Sequence, residues 1–583
     1  MNAAELSRRL DEISVPVIET PGDRVFANLV RRHFDDTMRR SPALATYLGV
    51  HEQDHRLADL SRAAKLATIE VEHSYLAALE GVDPATLSTA NVLEREMSIL
   101  TSRRTLFDLE VHRTWERRAN ASDEIGDALF LLMARDFAPL SERLEPITAR
   151  LEAAPAALVS IRDRLGERPV RLWLELELDS VASLPSFLDV IVAAGDETLG
   201  PDSDRQRRLM AASDGMRAAL QDYAAWLRDQ LPRSADDFCL GREHFDELIA
   251  LRALDSLSTD DILAIGQQQL ADNHEARRLA ALEMDPEATE AEVLRRVKDD
   301  HPLTFEAALG GYRDVMERAR AFIVEQQLAT LPPDETLEVI PTPEYLRRVM
   351  PFAAYFQPGA FDLPHRGIYI VTPSVDGEAG AMREHNFASI SNTSIHEAYP
   401  GHHHQLSAAL QRPTLTRLLI EAPEFVEGWG MYCEQLMREQ GFDATPAHRM
   451  MLATDAVWRA CRIILDIRLH RGEIGVTEAI DFLVEHTGFE RANATAEVHR
   501  YTSTPTYQLS YLLGKVLLLR LRADEQERLG ADFSLRRFHD ALLWSGSIPV
   551  SFHRRLLAGE GGGPFLPPGT ASANGTSAAT SSR

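Results

Sequence analysis

Apolar residues recur at three- and four-residue intervals along most of the chain, the spacing that lines up one face of an α-helix. Met216, Leu220, Tyr223, Leu227 and Leu231 show it plainly, falling on one stripe. Such a stripe packs a helix onto a core, and that is the role expected of nearly all of them. No short-period repeat is present. The rhythm breaks over residues 351–373, where Pro358-Gly359 and Pro364 punctuate two short aromatic and β-branched runs. Gly367-Ile-Tyr-Ile-Val-Thr372 is a strand candidate there. From Gly561 to Arg583 the chain is mostly Gly, Pro, Ser, Thr and Ala, with Phe565 and Leu566 its only large apolar residues. That composition predicts a disordered tail over 561–583. The expected architecture is mainly α: a single helical domain over residues 1–560 and a small β-sheet just before residue 396.

Composition narrows the function. The 583 residues are 44% apolar, enough for a sizeable core, and carry a formal net charge of −27. Acidity on that scale repels phosphate backbones, so no nucleic-acid partner is expected. The three cysteines, Cys239, Cys433 and Cys461, are far apart and odd in number, which suits a reducing compartment better than a disulfide framework. The first residues have no apolar core flanked by basic residues, and no uninterrupted apolar run reaches the ~18–20 residues of a membrane span. The expectation is a soluble, cytoplasmic protein with no membrane partner.

Candidate chemistry concentrates after the strand. His396, His402, His403 and His404 lie close together, with Glu397 beside the first. Imidazole and carboxylate are the usual ligands of catalytic zinc, which takes about three protein ligands and keeps one position for water. In a plain H-E-x-x-H helix the two histidines stand one turn apart and the Glu is general base. Here the i+4 position from His396 is Pro400. An undistorted helix puts i+6 on another face and i+7 roughly 10.5 Å along the axis. Pro400-Gly401 can break that helix, because proline removes a ladder bond and glycine accepts unusual dihedrals. Read as a two-residue insertion, the pair makes His402 the second ligand, with His403 the alternative. The bland readings are that Ser394-x-x-Glu397 is a helix-capping box and that the histidines form a solvated tract.

A third ligand is sought among carboxylates. Pro423 opens a helical pattern in which Glu427, Gly430, Met431 and Glu434 share a face. Gly428 and Gly430 each cost ~1 kcal/mol relative to Ala in a helix, which points to close packing. Glu427 is the chosen ligand. Glu434 is second choice, or a partner that orients a histidine.

His-Glu-Ala-Tyr-Pro-Gly-His-His-His-Gln (396–405) and Val-Glu-Gly-Trp-Gly-Met-Tyr (426–432) resemble a bacterial family long labelled a domain of unknown function. The resemblance includes Ser41-Pro-Ala-Leu-Ala-Thr-Tyr-Leu-Gly49. That family is in turn similar to the Glu-zincin metallopeptidases, which include angiotensin-converting enzyme, thimet oligopeptidases and Taq-type carboxypeptidases. The resemblance implies a two-lobed helical fold around a deep channel. It also implies a downstream Glu ligand like Glu427 and a substrate-pairing strand that Gly367–Thr372 could supply. The two extra residues around Pro400 depart from the zincin motif. The segment His499-Arg-Tyr-Thr-Ser-Thr-Pro505-Thr-Tyr507-Gln-Leu-Ser-Tyr511 resembles the late His…Pro…Tyr region of angiotensin-converting enzyme, which makes His499 and Tyr511 the implied oxyanion donors. Tyr507 and Tyr511, four apart, would share a helical face.

Three functions follow. The first is a zinc peptidase with His396, His402 and Glu427 as ligands and Glu397 as base. The second is a zinc amidohydrolase acting on a small metabolite or modified peptide. The third is a non-catalytic helical binding protein.

Overall fold

The computed structural model describes residues 3–342, 353–373 and 381–568. The chain is mainly α, as its periodicity predicts. The stripe around Met216 belongs to the helix Asp204–Gln230, where Met216, Leu220, Tyr223 and Leu227 are buried. Apolar packing is divided: one large cluster draws on residues from Leu60 to Leu227, another from Val170 to Val550. The helix Arg171–Leu199 is long and apolar enough to cross a bilayer by length and composition. In the fold its Leu174, Val181, Leu188 and Ile191 are buried in the first of those clusters.

A three-stranded sheet precedes the histidine segment: β1 (Thr336–Pro341), β2 (Ala353–Phe356) and β3 (Arg366–Val371), in the order β1-β3-β2. β3 pairs in parallel with β1, Val339 opposite Tyr369, and antiparallel with β2, Tyr355 opposite Tyr369. The predicted strand at Gly367–Thr372 therefore forms, but at the centre of the sheet. Both its edges are taken, so it cannot pair with a substrate backbone, and the free edges belong to β1 and β2.

Part of the segment expected to be disordered is packed. Phe565 lies 4.5 Å from the Arg412 guanidinium and 4.3 Å from that of Arg417, and its N–H donates to Ser545 Oγ at 3.0 Å. Residues 569–583 lie outside the described residues.

The Ser41–Gly49 motif has a structural task. It forms the helix Pro42–Leu48, after which His51 stands between two carboxylates, Asp54 Oδ2 and Asp362 Oδ1, each at 2.8 Å. Asp362, in the β2–β3 connection, also accepts from Arg135 at 2.9 Å. The N-terminal helices are thereby tied to the sheet.

Candidate metal centre

Four helices build the site. His396 and Glu397 end the helix Phe387–Glu397, and His402 begins the helix His402–Ala409. Glu427 lies on Pro423–Glu439, and Tyr511 on Ser510–Leu529. The first helix is capped by Asn386, whose side chain accepts from the Ser389 N–H. Glu397 is thus at the far end of its helix, and the capping-box reading of Ser394 and Glu397 does not hold.

Between the two histidine helices the chain loops out. The Gly401 N–H donates to the Ile395 carbonyl at 3.0 Å and the His404 N–H to the Ala398 carbonyl at 3.3 Å. Each reaches six positions back where an α-helix uses four, the pattern two inserted residues leave when they bulge out of a helical ladder. The turn is tight: a Cβ on Gly401 would lie 1.8 Å from the His396 carbonyl oxygen. Trp429 Nε1 donates to the Pro400 carbonyl at 2.8 Å and holds the bulge against the Glu427 helix.

The bulge brings His402 onto His396, with ring centroids 4.6 Å apart and planes at 89°. Glu427 Oε2 faces both, 3.6 Å from His396 Nε2 and 3.5 Å from His402 Nε2. The three groups offer ligand atoms within 4.8 Å of one another. His396 Nδ1 lies 2.7 Å from Glu434 Oε1, and Asn392 Nδ2 donates to Glu434 Oε2 at 3.0 Å and to Asp455 Oδ2 at 2.9 Å. A metal-binding histidine characteristically gives its second ring nitrogen to such a carboxylate. His402 Nδ1 is buried with no hydrogen-bond partner.

Two histidines of the run do other work. His403 Nε2 contacts Glu335 Oε2 at 2.6 Å and its Nδ1 lies 3.0 Å from the Tyr355 hydroxyl, so neither nitrogen faces Glu427. His404 Nε2 lies 3.0 Å from the Thr330 carbonyl, and burial pulls its pKa down to about 4. His402, the first alternative of the sequence reading, is the one set beside His396 and Glu427.

The glycines explain the close approach. A Cβ on Gly430 would stand 2.6–2.8 Å from three atoms of the His396 ring, so this glycine lets the imidazole lie against the helix backbone. Gly428 serves another contact, the crossing with Gly514 on the Tyr511 helix.

Electrostatics follow from burial and proximity. Burial opposes a charge on His396, but Glu427 and Glu434 outweigh it and raise the imidazole to about 10. Burial likewise works against the Glu427 carboxylate, and His396 and His402 overcome it, holding the group well below its ordinary range. Burial raises the Glu397 carboxyl, against the pull of His402 and His396. Among the described residues no donor hydrogen-bonds to the Glu397 carboxylate.

The late segment differs in register from the expectation. The Tyr507 hydroxyl donates to Glu427 Oε1 at 3.0 Å. Tyr511 packs on Tyr507, with centroids 6.0 Å apart, and on Arg462, one step further out. Tyr507 precedes the helix that starts at Ser510, following Thr506 at φ +67°, so the two tyrosines do not share a helical face. His499 is not brought to the cluster: the charge that bears on it is Glu175, and among the described residues no contact joins it to His396, His402 or Glu427. A cavity of about 770 Å³, lined by Glu427, Tyr507, Tyr47, Leu248, Arg104 and Arg252 among others, gives access to the carboxylate side of the cluster. The Tyr507–Glu427 contact, the Asn392–Asp455 bond and this lining were not read from the sequence, because the partners lie tens to hundreds of positions apart.

Comparison with known proteins gives the family and the fold. The chain resembles a solved putative lipoprotein of unknown function from Shewanella oneidensis, with 23% identity and a TM-score of 0.75 over 90% of this chain and 98% of that one. It also resembles the putative lipoprotein from Colwellia psychrerythraea, with 18% identity and a TM-score of 0.78 over 92% and 98%. No curated protein matches. The lipoprotein descriptions of both neighbours overturn the cytoplasmic placement expected above. Cysteine number and the first residues of the sequence do not fix a compartment. Residues 42–557 match the family model described as bacterial protein of unknown function (DUF885), and the chain belongs to that family.

Proposed function

We propose that the protein is a zinc-dependent hydrolase whose substrate is a peptide, as the zincin resemblance implies. The observation that carries this reading is the convergence of His396 Nε2 and His402 Nε2 on one Glu427 oxygen, at 3.6 and 3.5 Å. Two imidazoles and one carboxylate are a donor set suited to catalytic zinc, and Glu434 supplies the outer partner such a histidine needs. His396, His402 and Glu427 would hold the ion. Zinc, when bound at such a site, makes water acidic near neutral pH and polarises a carbonyl.

The chain's own groups do the rest. Glu397, next to His396 and without a hydrogen-bond donor among the described residues, takes a proton from the attacking water and returns it to the leaving amine. Tyr507, whose hydroxyl donates to Glu427 Oε1 here, would turn that proton from the carboxylate to the oxyanion once the ion engages Glu427, the part the sequence resemblance gave to Tyr511 or His499. The cavity volume lies in the range of small-ligand sites, which favours short peptides over folded proteins.

The test is Glu397→Gln assayed on a panel of short peptides. The variant should keep zinc and lose most turnover, and normal turnover would defeat the assignment. Cleavage confined to non-peptide amides would favour the amidohydrolase reading.

A further inference from the structure

The cavity that reaches Glu427 and Tyr507 is also lined by three guanidinium groups, Arg104, Arg252 and Arg417. Two are spent inside the protein. Arg252 bonds Glu424 at 2.7 Å, Ser510 at 3.0 Å and Thr506 at 2.9 Å, with 1% of its side chain exposed. Arg417 bonds Glu94 and the Ser545 carbonyl, at 2.7 and 2.6 Å. Their partners are buried, so neither can be released without leaving a charge stranded.

Arg104 is different. It sits on the helix Thr89–Phe107 and donates to the carbonyl of Glu421 at 3.1 Å and to its carboxylate at 2.8 Å. The Arg104 side chain is 20% exposed and that of Glu421 75%. Its hydrogen-bonded counter-charge is therefore a solvent-facing carboxylate that can rotate away, while the guanidinium stays fixed by the main-chain bond with Asp108 as a second carboxylate nearby. Beside the pair lies a small side pocket of about 70 Å³, which shares Arg104, Asp108, Arg252 and Glu421 with the large cavity. That volume suits a carboxylate with one or two waters, given ~30 Å³ per water. Arginine's planar fork matches a carboxylate in two places at once.

We propose that Arg104 anchors the free C-terminal carboxylate of a short peptide, Glu421 occupying that position in its absence. This rests on the peptide reading above and makes the protein selective for peptides with an unblocked C-terminus.

Equilibrium binding separates this from the proposed activity. The full-length, zinc-loaded Glu397→Gln protein is titrated by calorimetry with three ligands: an acetylated Leu-Leu acid, its C-terminal amide, and an acetylated Leu-Glu amide. The free acid should bind about 10- to 100-fold tighter than its amide, the range of a charge-assisted pair. Arg104→Gln should abolish that ratio while leaving amide binding unchanged. Glu421→Gln, which removes the competitor, should tighten acid binding several-fold and serves even if the arginine variant fails to fold. Equal binding of acid and amide, or no gain in Glu421→Gln, overturns the anchor. So does an equally tight Leu-Glu amide, which would place an acidic side chain there instead. Discrimination in binding with no cleavage by the wild-type protein would defeat the peptidase reading alone. Cleavage without discrimination would defeat the anchor alone.

Discussion

The Nδ1 of His396 lies 2.7 Å from Glu434 Oε1, while its Nε2 faces Glu427 Oε2 at 3.6 Å. One helix thus supplies both carboxylates, seven positions apart, to the two nitrogens of one ring. Two carboxylates on one ring favour its protonated form; an ion bound between Nε2 and Glu427 would take the place of the Nε2 proton while Nδ1 stays on Glu434, the orientation a metal ligand needs.

Glu434→Gln should weaken zinc binding 10- to 100-fold without unfolding the protein, the usual cost of losing an outer partner. A competition titration against a chromogenic chelator measures it. Unchanged affinity would mean that Glu434 merely fills buried space.

Gly430→Ala tests the packing directly. On an ordinary helix the change adds about 1 kcal/mol of stability. Here the new methyl would stand 2.6–2.8 Å from His396 ring atoms, so zinc affinity should fall at least tenfold as the ring is displaced. The same titration, run beside thermal unfolding, separates lost metal from lost fold.

Tyr507→Phe should lower kcat about 10²- to 10³-fold, the loss typical of one oxyanion donor, with zinc content unchanged. Tyr511→Phe should cost less, since among the described residues it is Tyr507 whose hydroxyl bonds Glu427, with Tyr511 packed behind it. Steady-state kinetics on one cleaved peptide rank the two, and the reverse order would restore the register expected from sequence.

His51 predicts a pH dependence of stability. Burial works against its charge, but Asp362 and Asp54 win and raise it from the ordinary 6.5 to about 9. A histidine raised in the folded state contributes stability that is whole below pH 6.5 and lost as pH climbs through about 9. Wild-type Tm should therefore exceed that of His51→Asn at pH 6, and the gap should close by pH 10.

The candidate ligands were legible because their chemistry is local. The types and spacing of His396 and His402 and the paired glycines around Glu427 mark the site without any tertiary knowledge. What was not legible depends on distant partners. His403 stands apart from Glu427 because Glu335, just before β1, takes its Nε2. β3 was readable as a strand, but its central position follows from β1, whose Thr336-Leu-Glu-Val-Ile-Pro341 carries little alternation. Tyr507 rather than Tyr511 meets Glu427 because the chain takes a positive φ at Thr506 and delays the helix to Ser510.

The central claim is tested most directly by the metal content of tag-free protein, measured by plasma mass spectrometry after dialysis, for the wild type and for His396→Ala, His402→Ala, His403→Ala and Glu427→Gln. The account predicts one zinc per chain in the wild type and in His403→Ala, and loss of zinc in the other three. Sub-stoichiometric metal in the wild type, or zinc that persists without His402 and disappears without His403, would contradict it.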